Sequence, residues 1–296
     1  SGAVKSVHDG TYSDVTPTLM GAVFDQWVTH SLETRTKQGL MKPSTAKSYK
    51  SMVKTHLRPA FAEIRSDRLR PVVLDEWARA RADEIVGGTL SPKFYNNLVN
   101  LLHVILGWAR HPAQGYLAHD PLVGLRRLPR SKIERTFLEP AEIPTLLTAA
   151  ADVRDSTILA LAVYTGLRRG ELFGLQWRDV DYADARISVN RSIYQGDVTS
   201  PKTAGSIREV DVPESLLVCL ALYQAMYPSI AEGFVFRTDA GAPLDPDNWS
   251  KRSFASVVTR ATAEGIRPIG LHGLRHTYAS LLINQGEPLK YVSRQL

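Results

Sequence analysis

TGLRRGEL, residues 165–172, is the stretch whose reading decides the fold. The apolar run leading into it, STILALAVYTG (156–166), reads as a buried helix stopped by Gly166 at its C-terminal cap, a position that favours a left-handed residue. Arg168 then opens a new turn, with Glu171 three residues on and able to orient its guanidinium. A buried arginine held by a carboxylate serves packing as readily as chemistry. Of the neighbours Arg168 and Arg169, one is expected to point outward, and the local sequence does not say which.

Upstream, FLEPAEIPTLLTAA (137–150) predicts a helix led in by Glu139-Pro140. Downstream, ARISVNRSIYQGDVTSPKTAGSIREVDVP (185–213) alternates β-branched and polar residues. With turns at Gln195-Gly196-Asp197 and Thr203-Ala204-Gly205, it predicts a small antiparallel sheet of three short strands. Lys202 lies in or beside the second turn. A turn lysine is ordinarily solvated, but a mobile hairpin can also deliver an ammonium to a leaving oxygen as general acid. Helical patterning resumes at Glu214, is interrupted by a loop over 233–246, and reaches LHGLRHTYAS (271–280).

In that last stretch His272 and Arg275 are i, i+3 neighbours on a helix expected to begin near Gly273. Free N–H groups at a helix start and a forked guanidinium suit a phosphate. A capping histidine and a salt-bridged arginine fit the same letters. His272 and His276 have the i, i+4 spacing of a metal pair. No Glu follows the first histidine, however, and Arg275 sets a positive charge beside any cation. No metal site is expected.

Residues 18–112 read as a compact four-helix domain. LMGAVFDQWVTHSL (19–32) places Leu19, Val23, Phe24, Trp27 and Val28 on one face. STAKSYKSMVKTHL (44–57) follows, ended by Pro59. VVLDEWARARADEI (72–85) is the third helix, and SPKFYNNLVNLLHVILGWAR (91–110) the fourth, with Ser91-Pro92 as cap and first turn. Lys47, Lys50 and Lys54 share one face of the second helix, whether as a solvated face or a polyanion contact. GLRRLPRSKIERTF (124–137) is basic, interrupted by proline and without apolar periodicity, so an exposed interdomain linker is expected there.

The charge is uneven. Through Lys132 there are 19 Lys and Arg against 11 Asp and Glu; beyond it, 17 against 19. A basic front half suits a phosphate-rich partner. With 44% hydrophobic and 22% charged residues in 296, the chain is globular and long enough for two cores. A single Cys219 excludes an internal disulfide and a cysteine-rich metal site, and no apolar run approaches bilayer length. A cytoplasmic protein with no membrane partner is expected.

TGLRRGEL, then PKTAGSIREV after a short strand, then HGLRH: this order resembles the tyrosine recombinase (phage integrase) family over roughly Thr18 to Leu296. The resemblance implies a mainly α fold with a small antiparallel β-sheet (α+β). It divides the chain into an N-terminal tail or cloning remnant (1–17), a helical core-DNA-binding domain (18–123), a basic linker (124–137) and a catalytic domain (138–296). It implies site-specific recombination of duplex DNA at a core site through a 3′-phosphotyrosine, by a homotetramer when full length, with no cofactor. Arg168, Lys202, His272 and Arg275 would be catalytic, with Glu171 in support and His276 in packing. Lys47, Lys50, Lys54, Lys93, Arg126 and Arg127 are the expected DNA contacts. In the family the nucleophilic tyrosine follows a segment placed after a stretch like YVSRQL (291–296), and neither Tyr278 nor Tyr291 occupies that position. The expectation is therefore a catalytic domain truncated before its nucleophile, binding DNA without covalent cleavage. A non-catalytic DNA-binding protein of the same fold is the alternative.

Overall fold

The computed structural model describes residues 17–129, 136–194, 196–199 and 207–296. The chain divides into two compact units between Lys132 and Ile133.

The first unit is helical. Helix α1 (Met20–Gln26) runs on through a π-helical stretch, Trp27–Glu33, into α2 (Thr34–Lys37). Helix α3 (Pro43–Met52) likewise continues through a π-helical turn, Val53–Leu57, into α4 (Arg58–Phe61). Pro59 therefore does not end this helix, against expectation. It takes a first-turn position of α4, and the wide turn before it relieves the clash a proline ring makes with the carbonyl four residues back. Helices α5 (Pro71–Val86) and α6 (Pro92–Arg110) complete the unit, and the Ser91 hydroxyl caps α6 by accepting from the Phe94 N–H at 3.1 Å. Along α6, Tyr95, Leu98, Leu102, Ile105 and Ala109 recur at helical spacing and are buried with Phe24, Trp27, Phe61 and Trp77. Each fully buried leucine here contributes about 1.5–3 kcal/mol.

Of the expected linker, 124–137, residues 130–135 lie outside the described residues. Leu125 and Leu128 pack on the core of the first unit, and the Asn96 side chain holds both the N–H and the C=O of Leu128, at 2.9 and 3.0 Å. At the other end Leu138 is buried in the second unit, its N–H donating to Thr277 Oγ1 at 2.9 Å. Leu125 and Leu128 lie in a stretch without helix or strand and carry no period, so the sequence concealed their packing.

The second unit opens with α7 (Ile143–Thr148) after a 3₁₀ turn at Pro140–Glu142. Helix α8 (Val153–Thr165) is buried on nearly every side and packs against the helices Glu214–Met226 and Leu271–Asn284. Helix α9 is Arg169–Gly174. The β region forms two sheets instead of one. Strands β1 (Val180–Asp181), β2 (Arg186–Val189) and β5 (Arg208–Asp211) pair antiparallel in the order β1-β2-β5, while β3 (Ser192–Tyr194) and β4 (Asp197–Thr199) form a separate hairpin. The run 185–194, which alternates like one strand, breaks at Asn190-Arg191 because both side chains turn to bond the buried Asp179. The turn at Thr203–Gly205 lies outside the described residues. Helices α10 (Glu214–Met226) and α11 (Pro246–Trp249) follow. A π-helical turn, Ser250–Phe254, then leads into α12 (Ala255–Ala263), and α13 (Leu271–Asn284) and α14 (Leu289–Gln295) close the unit. Helix α13 begins two residues earlier than Gly273. Among the described residues no helix is long and apolar enough to cross a membrane.

Candidate active site

Gly166 ends α8 in the left-handed region, at φ 59°. A β-carbon there would sit 2.6 Å from the Tyr278 ring, so the position requires glycine for space as well as for φ. The turn it makes delivers Arg168 to the start of α9. The Arg168 backbone N–H and its Nη1 donate to the two oxygens of Glu171 at 2.9 and 2.8 Å. Glu171 is buried and Arg168 half-exposed, so the carboxylate fixes the guanidinium while leaving it accessible. Arg169, the other member of the pair, instead donates to Asp247 at 2.6 Å.

Arg275 projects from the second turn of α13 and is buried. Its Nη1 donates to the Gly166 carbonyl at 2.5 Å and its Nη2 to the Leu296 carbonyl. In place of the salt bridge that the same letters allowed, two main-chain oxygens orient the guanidinium. Burial, and then the Arg168 and Arg208 guanidiniums, push its pKa down to about 10 against the pull of Glu171, so it remains charged at neutral pH. His272 is exposed in the first turn of the same helix. It does not cap the helix: the cap is Gly270, without a side-chain bond. The His272 and His276 rings meet edge to face at 4.8 Å. Among the described residues no group of three or more His, Cys, Asp or Glu could hold a metal.

Arg168, His272 and Arg275 line one pocket of about 320 Å³, walled by Arg169, Ser250 and Phe254. Its cationic wall lies at the N-terminus of α13, where unpaired N–H groups and the helix dipole favour an anion. Lys202 lies outside the described residues. Lys47, Lys54, Lys93, Arg126 and Arg127 are exposed on the first unit, and Lys50 is exposed and ion-paired with Glu33 at 2.7 Å.

Two residues of this region escaped the sequence reading. Arg208 donates from Nη2 to Glu171 at 2.9 Å with its side chain only 7% exposed, and Gln295 is fully buried. The signal for Arg208 was the strand period. It shares a face with Val210 and Val212, both buried, and a cation on the apolar face of a strand demands a partner. Burial pushes the Glu171 carboxyl up, but the bonds from Arg208 and Arg168 outweigh it and hold the group below the usual carboxylate range.

Comparison with known proteins gives the family. The model of the phage integrase family matches residues 136–296. A tyrosine recombinase XerC-like protein of Caldanaerobacter subterraneus is 32% identical over 238 residues, 70% of this chain and 59% of that one. The ICEBs1 integrase of Bacillus subtilis is 28% identical over 265 residues, 86% of this chain and 70% of its own length. The chain thus spans less than two thirds of the first of these relatives. Among solved structures, the Tn1549 transposon integrase in complex with transposon right end DNA superposes with a TM-score of 0.74 at 19% identity, covering 94% of this chain and 90% of that one. A lambda integrase dimer bound to a COC′ core site gives 0.68 at 19% identity, covering 92% and 93%. Those two likenesses are of fold: mainly helical, with small antiparallel sheets. By its matched domain and its relatives, the chain belongs to the phage integrase family of tyrosine recombinases.

Proposed function

We propose that the chain is the DNA-binding and phosphate-activating part of a site-specific recombinase acting on duplex DNA. The observation that carries this reading is the pocket at the start of α13. There a half-exposed Arg168 and a buried Arg275 converge with His272, the arginines fixed by a carboxylate and by two main-chain carbonyls. Attack on a phosphodiester raises negative charge on the non-bridging oxygens, and preorganised guanidiniums stabilise that charge without reorganising. In the full reaction a tyrosine oxygen bonds phosphorus as the 5′ oxygen leaves. The resulting 3′-phosphotyrosine retains the bond energy for rejoining, with no nucleotide cofactor. Lys202 protonates the leaving oxygen and His272 assists proton movement at the nucleophile. The first unit holds the duplex through Lys47, Lys50, Lys54, Lys93, Arg126 and Arg127, and the whole recombinase works as a homotetramer. A pure DNA-binding protein of the same fold has no use for a buried Arg275 that main-chain oxygens hold in place of a side-chain carboxylate.

Neither nearby tyrosine supplies the nucleophile in this reading. Tyr278 is buried, and burial raises its pKa far above the ordinary value. The Tyr291 hydroxyl donates to Asp211 Oδ2 at 2.8 Å, and burial followed by that bond pushes it up to about 12. The 296-residue polypeptide is therefore expected to retard a nicked core-site duplex without linking to it. Denaturing electrophoresis of a labelled suicide substrate tests this: a protein–DNA band that survives would overturn the binding-only reading and support full cleavage competence.

A further inference from the structure

Glu171 is where two arginines meet. Its Oε1 accepts from Arg168 Nη1 at 2.8 Å, while Oε2 accepts from Arg208 Nη2 and from the Arg168 backbone N–H, both at 2.9 Å. Arg208 also donates from Nε to the main-chain carbonyl of Gln295 at 3.1 Å. The Gln295 side chain is clasped in turn by Asp211: the Asp211 N–H donates to Oε1 at 2.9 Å and Nε2 donates to Oδ2 at 2.8 Å. The Tyr291 hydroxyl donates to that same Oδ2. An unbroken run of hydrogen bonds thus leads from β5 and α14 to the accessible guanidinium of Arg168.

Stability alone is a poor reason for this run. A buried Arg–Glu pair gains little over a well-packed apolar pair, and Arg208 Nη1 is buried with no partner among the described residues, a further cost. What an apolar pair cannot do is hold an ionised carboxylate at a fixed angle. The terminal torsion of a glutamate is broad. Without Arg208, both oxygens of Glu171 would be held by Arg168 alone, through its Nη1 and its backbone N–H, and nothing outside that turn would fix the carboxylate and the guanidinium it carries.

We propose that Arg208 and Gln295 are positioning residues: Arg208 pins one oxygen of Glu171 so that the other holds Arg168 against the phosphate, and Gln295 locks Arg208 by docking α14 on β5. The inference rests on reading the pocket as a phosphate site, and the two can be tested apart. The 296-residue chain is titrated with inorganic phosphate and followed through its arginine Nε–H resonances. In the wild type, Arg168 and Arg275 shift together; no shift at either would overturn the phosphate reading and this inference with it. Given that shift, Arg208→Gln weakens phosphate binding about 10-fold, as for directly coupled groups, and Arg208→Lys, which keeps the charge but not the fork that meets Glu171 and the Gln295 carbonyl together, recovers only part of it. Gln295→Ala, at the far end of the run, weakens binding about 3-fold. An Arg208→Gln protein that melts cooperatively yet binds phosphate within about 2-fold of wild type would overturn the proposal while leaving the pocket's reading intact. If Arg208→Gln does not fold, Gln295→Ala decides, and unchanged affinity there overturns the proposal.

Discussion

Lys50 and Arg208 are each paired to a glutamate at closely similar distance, 2.7 Å for Lys50–Glu33 on the helical unit and 2.9 Å for Arg208–Glu171 in the mixed one. Their surroundings differ. Lys50 and Glu33 are 47% and 40% exposed, Arg208 and Glu171 only 7% and 5%. Water and salt compete with the first pair, so its lysine can exchange a carboxylate for a phosphate at small cost. Water cannot replace the partners in the second, so its geometry is imposed by the fold. The comparison separates two uses of charge in one chain. Exposed lysines offer salt-dependent attraction to a polyanion, and buried arginines offer fixed direction at one point.

The sharpest way to break this contrast is to disturb the turn that sets the buried site. Gly166→Ala adds a β-carbon 2.6 Å from the Tyr278 ring at a φ of +59°. The left-handed conformation costs roughly 1–2 kcal/mol and the overpacking about 1–3 kcal/mol more. Calorimetry should show the transition of the second unit moving down by several degrees while that of the first stays in place. Equal movement of both would show that the two units melt as one.

A smaller effect is expected from Glu171→Gln, which keeps the shape and removes the charge. A hydrogen bond to a charged group contributes about 1.5–3 kcal/mol, so roughly 2 kcal/mol should be lost at neutral pH. The sign with pH follows from the depressed carboxyl. Its stabilising contribution is complete above the ordinary glutamate value of 4.5 and disappears as the pH falls through the lower folded value. Wild type and variant should therefore converge in denaturant midpoint as acid is added below that value. A gap that stays constant to the acid limit of the fold would mean that Glu171 is not an ionised clamp.

What the sequence made legible was local. Gly166 as a cap, Glu171 within reach of Arg168 and Ser91 at the head of α6 are all readable over three or four residues, because helix geometry alone brings them together. His272 and Arg275 were legible as neighbours on one helix; that they face Arg168 depends on the packing of α13 on α8, over a hundred residues apart. Arg208 and Gln295 are joined across 87 residues, and neither stands out by type. The π-helical turns at Trp27–Glu33, Val53–Leu57 and Ser250–Phe254 were invisible too, since one inserted residue barely disturbs an apolar repeat read over a few turns. Lys202 was singled out from its hairpin and lies outside the described residues.

The smallest expected effects lie on the exposed side of the comparison. Lys50 must release Glu33 before it can reach a phosphate, whereas no ion pair involves Lys54 among the described residues. Each lysine that displaces one counterion from a duplex should change the slope of log K against log salt by about 1 when removed. Titrations of a mixed-sequence duplex at several salt concentrations should give close to that change for Lys54→Ala and a smaller one for Lys50→Ala. Glu33→Ala should raise affinity slightly by freeing the Lys50 ammonium. The carboxyl of Glu33 is held low by the hydrogen bond and the charge of Lys50, so the pair is intact at neutral pH and the competition is real. An unchanged slope for both lysine variants would return this helix face to ordinary solvated charge and move the duplex contact elsewhere on the unit.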